Sequence, residues 1–395
     1  MKYKYATRME QAKPSIIREL LKLSADPSII SFAGGNPDAD TFPVGALSIA
    51  GTAVLHDDGK SALQYSVTEG NEGLRRALIQ RMAKLGVPAG LENVCIISGS
   101  QQGLDLTGKI FVDKGDAVII EAPSYMGAIN AFRYYEPEFI EVDMDEDGMR
   151  MDILEQKLKE NPNAKFIYTI PDFQNPTGRT MSLLRRKRLV ALAEEYNVAV
   201  VEDSPYYDLR FRGESVPPLK HFDKTGSVIY LGSFSKILCP AYRVGWVVAT
   251  PEIVRNYVVL KQAADLHTNE PGQRQIAEYL RTQDIEAHIA ELNASYLEKL
   301  DLMIRIIKDE FPAGITYTIP DGGLFVWLEL PTGNDAQELF QVAMDEAKVA
   351  FVPGDTFYPY GGHPDTLRLS YATMSAENIE NGMTRLAAVF RKHIK

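Results

Sequence analysis

Six short apolar runs constrain the fold of this 395-residue chain more than any other feature of its sequence. Almost every side chain in each run is apolar, which is typical of strands in a sheet that is covered on both faces. Stretches with helical spacing of apolar residues separate several runs, for example at 182–196. This alternation predicts an α/β architecture with a mostly parallel sheet. The runs lie at 94–97, 117–120, 166–169, 198–201, 228–231 and 244–248.

The pattern changes near residue 285. A long charged helix is predicted over 285–310, followed by an apolar strand at 325–330, a helix near 336–347 and a strand at 366–371. This mixture predicts a smaller α+β domain, and the chain length also favours two domains. We therefore expect an N-terminal arm over 1–40 with a short helix near 15–23, a large domain over 41–284 and a small domain over 285–395.

Composition argues against several classes of protein. The net charge of −11 does not favour a nucleic-acid or anionic-membrane surface. We expect no transmembrane segment, because the apolar runs are too short to span a bilayer. The two cysteines cannot form a disulfide framework, which fits a reducing cytoplasm. The six histidines are scattered without ligand spacing, so no metal site is expected.

Polar side chains follow several of the apolar runs where each predicted strand ends. Ligands bind outside the carboxyl ends of strands in open α/β sheets, so these side chains should share one rim. The run at 94–97 is followed by Ser100 and Gln101, the run at 166–169 by Asn175, the run at 198–201 by Asp203 and Tyr206, and the run at 228–231 by Ser233, Ser235, Lys236 and, seven residues further on, Arg243.

These residue types match the needs of a pyridoxal 5′-phosphate (PLP) site. Such a site needs a lysine amine for a Schiff base, an acidic partner for the pyridine nitrogen and an anion pocket for the phosphate. Lys236 and Asp203 supply the first two, and Asn175 and Tyr206 are hydrogen-bond donors for the ring hydroxylate. Hydroxyl groups, a forked guanidinium and the N–H groups of a helix N-terminus supply the third, from Ser233, Ser235, Arg243, Ser100 and Gln101.

Each of these motifs is weak when it is taken alone. A Ser-x-Ser-Lys stretch is usually a loop, an aspartate after a strand is often a helix cap, and Asn-Pro-Thr-Gly is a common turn. Their joint occurrence at successive strand ends, in one order, is specific.

The ordered set of motifs resembles the fold-type I, class I/II aminotransferases over nearly the whole chain. Within that superfamily it is most similar to the 2-aminoadipate/kynurenine aminotransferase group, which includes aromatic and branched-chain members. The resemblance rests on Asn175-Pro176-Thr177-Gly178, Asp203-x-x-Tyr206, Ser233-x-Ser235-Lys236, Arg243 and Arg368, and on the stretches at 31–35, 64–70, 99–102, 121–125 and 367–372.

The resemblance implies PLP fold type I and a set of cofactor contacts. The fold would be a large domain with a mostly parallel, seven-stranded-type sheet between helices, plus a smaller α+β domain and an N-terminal arm. Lys236 would be the Schiff-base lysine and proton shuttle, Asp203 would keep the pyridine nitrogen protonated, and Tyr125 would stack on the ring.

The resemblance also implies a partner subunit and a substrate site. Tyr65 would reach the phosphate of the partner subunit, so a homodimer with shared active sites is expected. Arg368, with Asn175 and the backbone of Gly35, would bind the α-carboxylate of the substrate. Arg18, in the predicted arm helix, is the candidate reader of a distal substrate carboxylate, although a solvated face of that helix explains it equally well.

The implied reaction moves an amino group from an L-amino acid to a 2-oxo acid such as 2-oxoglutarate, with ping-pong kinetics. The donor would be 2-aminoadipate, an aromatic or branched-chain amino acid, or a similar compound.

Two alternatives stay open at this point. A PLP-dependent β-lyase or decarboxylase can use the same scaffold, because a fold does not fix a reaction. Arg368 disfavours decarboxylation, since it would retain the carboxylate.

The other alternative is a non-catalytic regulator domain that follows a DNA-binding helix-turn-helix. Two observations disfavour this regulator domain. The chain begins almost directly at the arm and is acidic, and a domain that only binds ligands would not need Lys236, Asp203 and Arg368 together.

Overall fold

The computed structural model describes residues 3–11, 26 and 28–395. Their largest sheet has eight strands, which are β2 (Val94–Ile97), β3 (Ala117–Ala122), β4 (Glu138–Asp145), β5 (Gly148–Met149), β6 (Ala164–Thr169), β7 (Ala199–Asp203), β8 (Val228–Ser233) and β9 (Gly245–Val248). Their order across the sheet is β2-β9-β8-β7-β6-β3-β4-β5. Strands β3, β4, β6, β7 and β8 pair in parallel, whereas β9 runs antiparallel to β2 and β8, and β5 antiparallel to β4.

The alternating side chains of the central strands enter two different cores. On β3, Val118 and Ile120 join one apolar cluster, while Ala117 and Ile119 join the other. Both faces of the sheet are therefore covered, which confirms the predicted α/β class and explains why the runs lack polar alternation. Strand β4 was not predicted, because at the edge of the parallel set it mixes exposed, half-buried and buried residues instead of forming a continuous apolar run.

Helices surround this sheet. Helix α1 contains a kink at Asp58, where the backbone leaves helical geometry. The described helices that surround the sheet are α1 (Val44–Ala62), α2 (Glu72–Lys84), α3 (Ser100–Phe111), α4 (Met126–Arg133), α5 (Met151–Glu160), α6 (Leu183–Tyr196), α7 (Leu219–Phe222), α8 (Pro251–Ala264) and α9 (Glu270–Thr282).

The C-terminal part builds a second, antiparallel sheet of four strands in the order β10-β11-β14-β13. Its strands are β10 (Thr316–Tyr317), β11 (Phe325–Glu329), β13 (Val352–Pro353) and β14 (Thr366–Ser370), and its helices are α10 (Ile285–Glu310), α11 (Ala336–Val342) and α12 (Ala376–His393). The helix expected over 336–347 is α11 followed by a π-helical turn, Ala343–Ala347. Near the N-terminus, β1 (Ile30–Ser31) pairs in parallel with β12 (Val349–Ala350).

One apolar cluster is continuous between the two sheets, since it contains Val94 of β2 together with Phe325 of β11 and Phe390 of α12. The domain boundaries at residues 40 and 284 stay predictions, and the predicted arm helix lies outside the described residues. No helix in the described part of the chain is long and apolar enough to cross a membrane.

Candidate active site

The strand ends bring the predicted polar residues to one edge of the large sheet. Asp203 is the last residue of β7 and Ser233 the last of β8, and these two strands are neighbours. Helix α3 begins at Ser100, directly after Gly99 with its left-handed φ of 77°. Gly245 of β9 lies against this turn, and a Cβ there would come within 2.8 Å of the Gly232 carbonyl oxygen. The glycine is therefore required for the close approach.

A cavity of about 380 Å³ lies at this edge. All the predicted site residues that the structure describes, except Tyr65, line it, together with Asn36, Leu104, Ile170, Pro205 and Pro240. The predicted residues in the wall are Gly35, Ser100, Gln101, Tyr125, Asn175, Asp203, Tyr206, Ser233, Ser235, Lys236, Arg243 and Arg368. The side chain of Tyr65 lies elsewhere, 78 % exposed and edge-on to His267. Arg18 lies outside the described residues.

Lys236 follows β8 by three residues and extends into the cavity. Its Nζ donates a hydrogen bond to the Gly35 carbonyl oxygen at 2.7 Å. Burial lowers the pKa of this amine to about 8, with smaller contributions from the positive charges of Arg243 and Arg368. A large part of the amine is therefore neutral near pH 8, which is the state that a nucleophile or a base requires.

Asp203 has one free oxygen. Its Oδ2 accepts a hydrogen bond from the Tyr168 hydroxyl at 2.9 Å, while its buried Oδ1 has no partner among the residues that the structure describes. Burial raises the pKa of this carboxyl to about 7, and the bond from Tyr168 opposes the rise. A cationic N–H at Oδ1 would satisfy the oxygen and favour the anion, so the residues fit a protonated pyridine nitrogen.

An anion pocket lies between β8 and the start of α3. Ser233 donates from Oγ to Ser235 Oγ at 2.9 Å and accepts from the Ser235 N–H at 3.1 Å. The guanidinium of Arg243 is 3.4 Å from the same Ser235 Oγ. With the N-terminus of α3 at Ser100, this arrangement combines hydroxyl groups, a cation and helix N–H groups, as phosphate binding requires.

Arg368 of β14 enters the cavity from the four-stranded sheet. Its guanidinium donates to Asn175 Oδ1 at 2.8 Å and to the Ala33 carbonyl oxygen at 2.6 Å, and it lies over the rings of Phe325 and Phe357. Its Nε has no partner within the described part of the chain.

Burial lowers the pKa of Arg368 to about 10. A buried cation with a spare donor is suited to a carboxylate ligand. The carbonyl oxygen beside this guanidinium belongs to Ala33, whereas that of Gly35 accepts from Lys236. Binding of the substrate carboxylate by the backbone of Gly35 stays a prediction.

Sequence reasoning missed two polar residues of the site. Tyr168 of β6 reaches Asp203, and the strand register offers the signal: Tyr168 pairs with Val201, two residues before Asp203 and therefore on its face of the sheet. Asn36 is exposed in the cavity wall and follows Gly35 directly, and no pattern in the sequence marks it.

A half-buried lysine, a carboxylate with a free oxygen, an anion pocket and a buried arginine converge on one cavity. The fold and this site together fit a PLP-dependent enzyme.

The sequence profile described as "Aminotransferase class I and II" matches residues 27–386. The chain belongs to this family, whose members use PLP, and it is an aminotransferase.

Relatives of known name are similar over almost their whole length. Aromatic-amino-acid aminotransferase 1 of Thermococcus litoralis is 42 % identical over 388 residues, covering 97 % of this chain and 93 % of the relative. The 2-aminoadipate transaminase of Thermus thermophilus is 45 % identical over 380 residues, covering 95 % and 94 %. Among solved structures, α-aminoadipate aminotransferase LysN from Thermus thermophilus, complexed with N-(5′-phosphopyridoxyl)-L-leucine, has a TM-score of 0.91 at 42 % identity, covering 98 % of this chain and 97 % of that chain.

Proposed function

We propose that this enzyme moves the amino group of an L-amino acid with an acidic, aromatic or branched side chain to a 2-oxo acid such as 2-oxoglutarate, by a ping-pong mechanism. The names of two relatives and the phosphopyridoxyl-leucine complex of LysN cover these three kinds of side chain. The observation that carries the proposal is that the buried guanidinium of Arg368 and the amine of Lys236 face one cavity. Amino acids and 2-oxo acids with different side chains have in common only the α-carboxylate and the carbon next to it. Arg368 is suited to bind that carboxylate, and Lys236 to act at that carbon.

The cofactor is assigned to the cavity through groups that match its three polar ends. Asp203 Oδ1 would hold the pyridine nitrogen, and Asn175 and Tyr206 the ring oxygen, because Asn175 Nδ2 lies 3.5 Å from the Tyr206 hydroxyl. Tyr125 would cover the ring. The phosphate would bind at the anion pocket, whose residues are Ser100, Gln101, Ser233, Ser235 and Arg243.

Lys236 would hold the cofactor covalently and move the substrate proton. When bound, PLP supplies an electron sink that stabilises negative charge at the substrate Cα. The lowered pKa of Lys236 leaves a neutral amine available as a base at moderately alkaline pH.

Arg368 would orient the substrate. A carboxylate that accepts two hydrogen bonds from a guanidinium is fixed in direction as well as in position. The rings of Phe325 and Phe357, which the guanidinium contacts, limit its movement. The Cα–H bond is therefore held in one orientation relative to Lys236, which favours its cleavage over that of other bonds.

The partner subunit would complete the anion pocket. The side chain of Tyr65 is 78 % exposed although it is aromatic, and it lies outside the cavity of its own chain. Burial against a second copy would remove this apolar surface from water. We therefore propose a homodimer in which Tyr65 reaches the phosphate bound by the partner subunit.

A reducing compartment fits the cysteines, since Cys95 and Cys239 are both unpaired and buried.

A half-reaction screen tests the function. The PLP-loaded protein is mixed with each amino acid in turn, and loss of the visible absorbance of the bound cofactor is followed. Lys236→Ala should abolish both the absorbance and borohydride trapping at position 236, whereas Lys109→Ala on the exposed side of α3 should change neither. Release of pyruvate and ammonia from a cysteine conjugate, with no amino transfer to 2-oxoglutarate, would instead establish a β-lyase.

Arg18 needs a separate test of side-chain specificity. Arg18→Ala should slow the half-reaction with 2-aminoadipate and glutamate more than that with leucine. Equal losses on all three amino acids would remove the proposed role.

A further inference from the structure

Glu121 is a buried carboxyl at the end of β3 for which the proposed chemistry has no use. Its side chain is 1 % exposed and forms no part of the described cavity wall. It accepts hydrogen bonds from the Thr169 hydroxyl, from the Ile170 N–H at 3.3 Å and from Gln174 Nε2 at 3.1 Å. All three partners are donors and all are neutral, so the carboxylate is held by hydrogen bonds rather than by an ion pair.

The amide of Gln174 joins two loops that enter the cavity. Its Nε2 also donates to the Pro123 carbonyl oxygen at 2.8 Å. Its Oε1 accepts from the Thr177 N–H at 2.9 Å and from the Thr177 hydroxyl at 2.8 Å. Because donors face Oε1 and acceptors face Nε2, the amide has one favourable orientation. We call this set of contacts the Gln174 bridge.

Each loop that the bridge joins carries a residue of the site. Tyr125 lies two residues after Pro123, and Asn175 directly follows Gln174. Asn175 Oδ1 accepts from Arg368 at 2.8 Å, so the position of Asn175 also sets the position of the guanidinium. Gln174 is fully buried, and water is thus a poor substitute for any of its partners.

We propose that Gln174, oriented by Glu121, is a positioning residue that fixes the spacing between the Tyr125 loop and Asn175 and thereby aligns Arg368 with the carboxylate of the substrate. The inference rests on the aminotransferase reaction proposed above. Gln174 touches neither the cofactor nor the substrate in this scheme. Its removal should therefore weaken the binding of carboxylates while leaving the lysine and the anion pocket intact.

Gln174→Met tests the inference, since methionine keeps the length of the side chain and removes both polar atoms. The probes are glutarate and 4-methylvalerate, which are glutamate and leucine without the amino group, and their dissociation constants are measured on the PLP-loaded protein by the change in cofactor absorbance. We expect both constants to rise about tenfold, the effect of one misaligned hydrogen bond to a charged group. The dissociation constant of PLP should rise by less than those of the probes, because Tyr125 and Asn175 would shift while Lys236, Asp203 and the anion pocket are not bonded to Gln174.

Gln273→Met is the matched control. Gln273 is equally buried, but its amide bonds Asn71 and Thr268 instead of the cavity loops. The control should lower the melting temperature without changing the constants for the two probes. If Gln174→Met behaves in the same way, losing stability while both probes bind as in the wild type, Gln174 is structural only and the inference is wrong.

Glu121→Met keeps the test decisive if Gln174→Met does not fold. It preserves the length of the side chain but removes both acceptor oxygens, so Gln174 Nε2 loses this partner. We expect weaker binding of both probes, and unchanged binding would contradict the inference. A wild-type protein that holds no PLP at Lys236 would instead contradict the proposed function, so the two failures are distinguishable.

Discussion

The Tyr168→Phe substitution tests how the structure controls the charge of Asp203. The hydroxyl of Tyr168 is fully buried and donates to Asp203 Oδ2 at 2.9 Å. Loss of that hydroxyl removes the bond and leaves the volume of the ring almost unchanged. In the scheme above, PLP binding requires the Asp203 anion opposite the ring nitrogen. The substitution should therefore weaken PLP binding.

The magnitude follows from the two protonation states of Asp203. A hydrogen bond to a carboxylate contributes about 1.5–3 kcal/mol, and one to a neutral acid about 0.5–1.5 kcal/mol. The difference of about 1–1.5 kcal/mol corresponds to about a tenfold change in the dissociation constant of PLP. This full difference applies only at a pH where Asp203 is neutral in the PLP-free protein and becomes an anion when PLP binds.

The ionisation of Asp203 determines at which pH the substitution weakens PLP binding more. Burial raises the pKa of Asp203 to about 7, so the free protein is mostly neutral at this position at pH 6 and mostly anionic at pH 8. The loss of PLP affinity in Tyr168→Phe should thus be larger at pH 6 than at pH 8. Equilibrium titrations of the apoprotein with PLP, followed by absorbance at both pH values, measure the effect.

Tyr257→Phe is the control, because Tyr257 is also fully buried and its hydroxyl bonds Thr107 rather than Asp203. It should lower stability and leave PLP affinity as in the wild type. An equal change in PLP affinity in both variants, or no change in Tyr168→Phe at pH 6, would refute the reasoning.

Three further predictions follow from the same charges. First, burial raises the pKa of Glu121, Glu202 and Asp203 to about 7, above the values of an unfolded chain. Their contribution to stability is therefore present at pH 4 and is lost as the pH rises through 7, so the melting temperature of the apoprotein should fall between pH 5 and pH 8 on scanning calorimetry; a rise over this range would contradict the assignment. Second, the rate of covalent PLP capture, measured by stopped-flow absorbance, should increase with pH to a plateau above about 8 as Lys236 loses its proton, whereas a flat profile would exclude that amine. Third, Arg368→Lys should raise KM for amino acids about 10- to 100-fold through loss of the paired hydrogen bonds, with PLP affinity unchanged, and an unaltered KM would remove the carboxylate from this site.

The sequence predicts the large sheet well because its strands are buried on both faces. Continuous apolar runs mark such strands without any tertiary information, and the predicted runs correspond to β2, β3, β6, β7, β8 and β9. Strand β4 contains both exposed and buried residues, for example Glu138 and Phe139, so it forms no continuous apolar run. Its assignment as a strand depends on pairing with β3, which the sequence alone does not specify. The π-helical turn at Ala343–Ala347 was likewise not distinguished from the helix before it, because the apolar spacing predicts one continuous helix over 336–347.

The wall of the cavity was predictable for a different reason. Residues that follow parallel strands meet at one edge whatever the rest of the fold does, and this rule brings Asn175, Asp203 and Lys236 together. The contacts of Arg368 could not be found in this way, because they depend on how the two sheets pack. Nor could the Gln174 bridge, in which Pro123 and Glu121 are 51 and 53 residues away from Gln174 along the chain. The roles of the individual wall residues stay predictions.

The position of Arg368 links ligand binding to the cohesion of the molecule. Its strand belongs to the four-stranded sheet, yet the guanidinium is bonded to Asn175 and Ala33, which lie outside that sheet. Any anion that this cation captures therefore stabilises the contact between the two halves of the cavity by mass action. We therefore expect slower amide hydrogen exchange along β11 and β14 in the presence of substrate. Occupancy of the site can then be measured on β11, a strand that does not contact the cofactor in the proposed scheme.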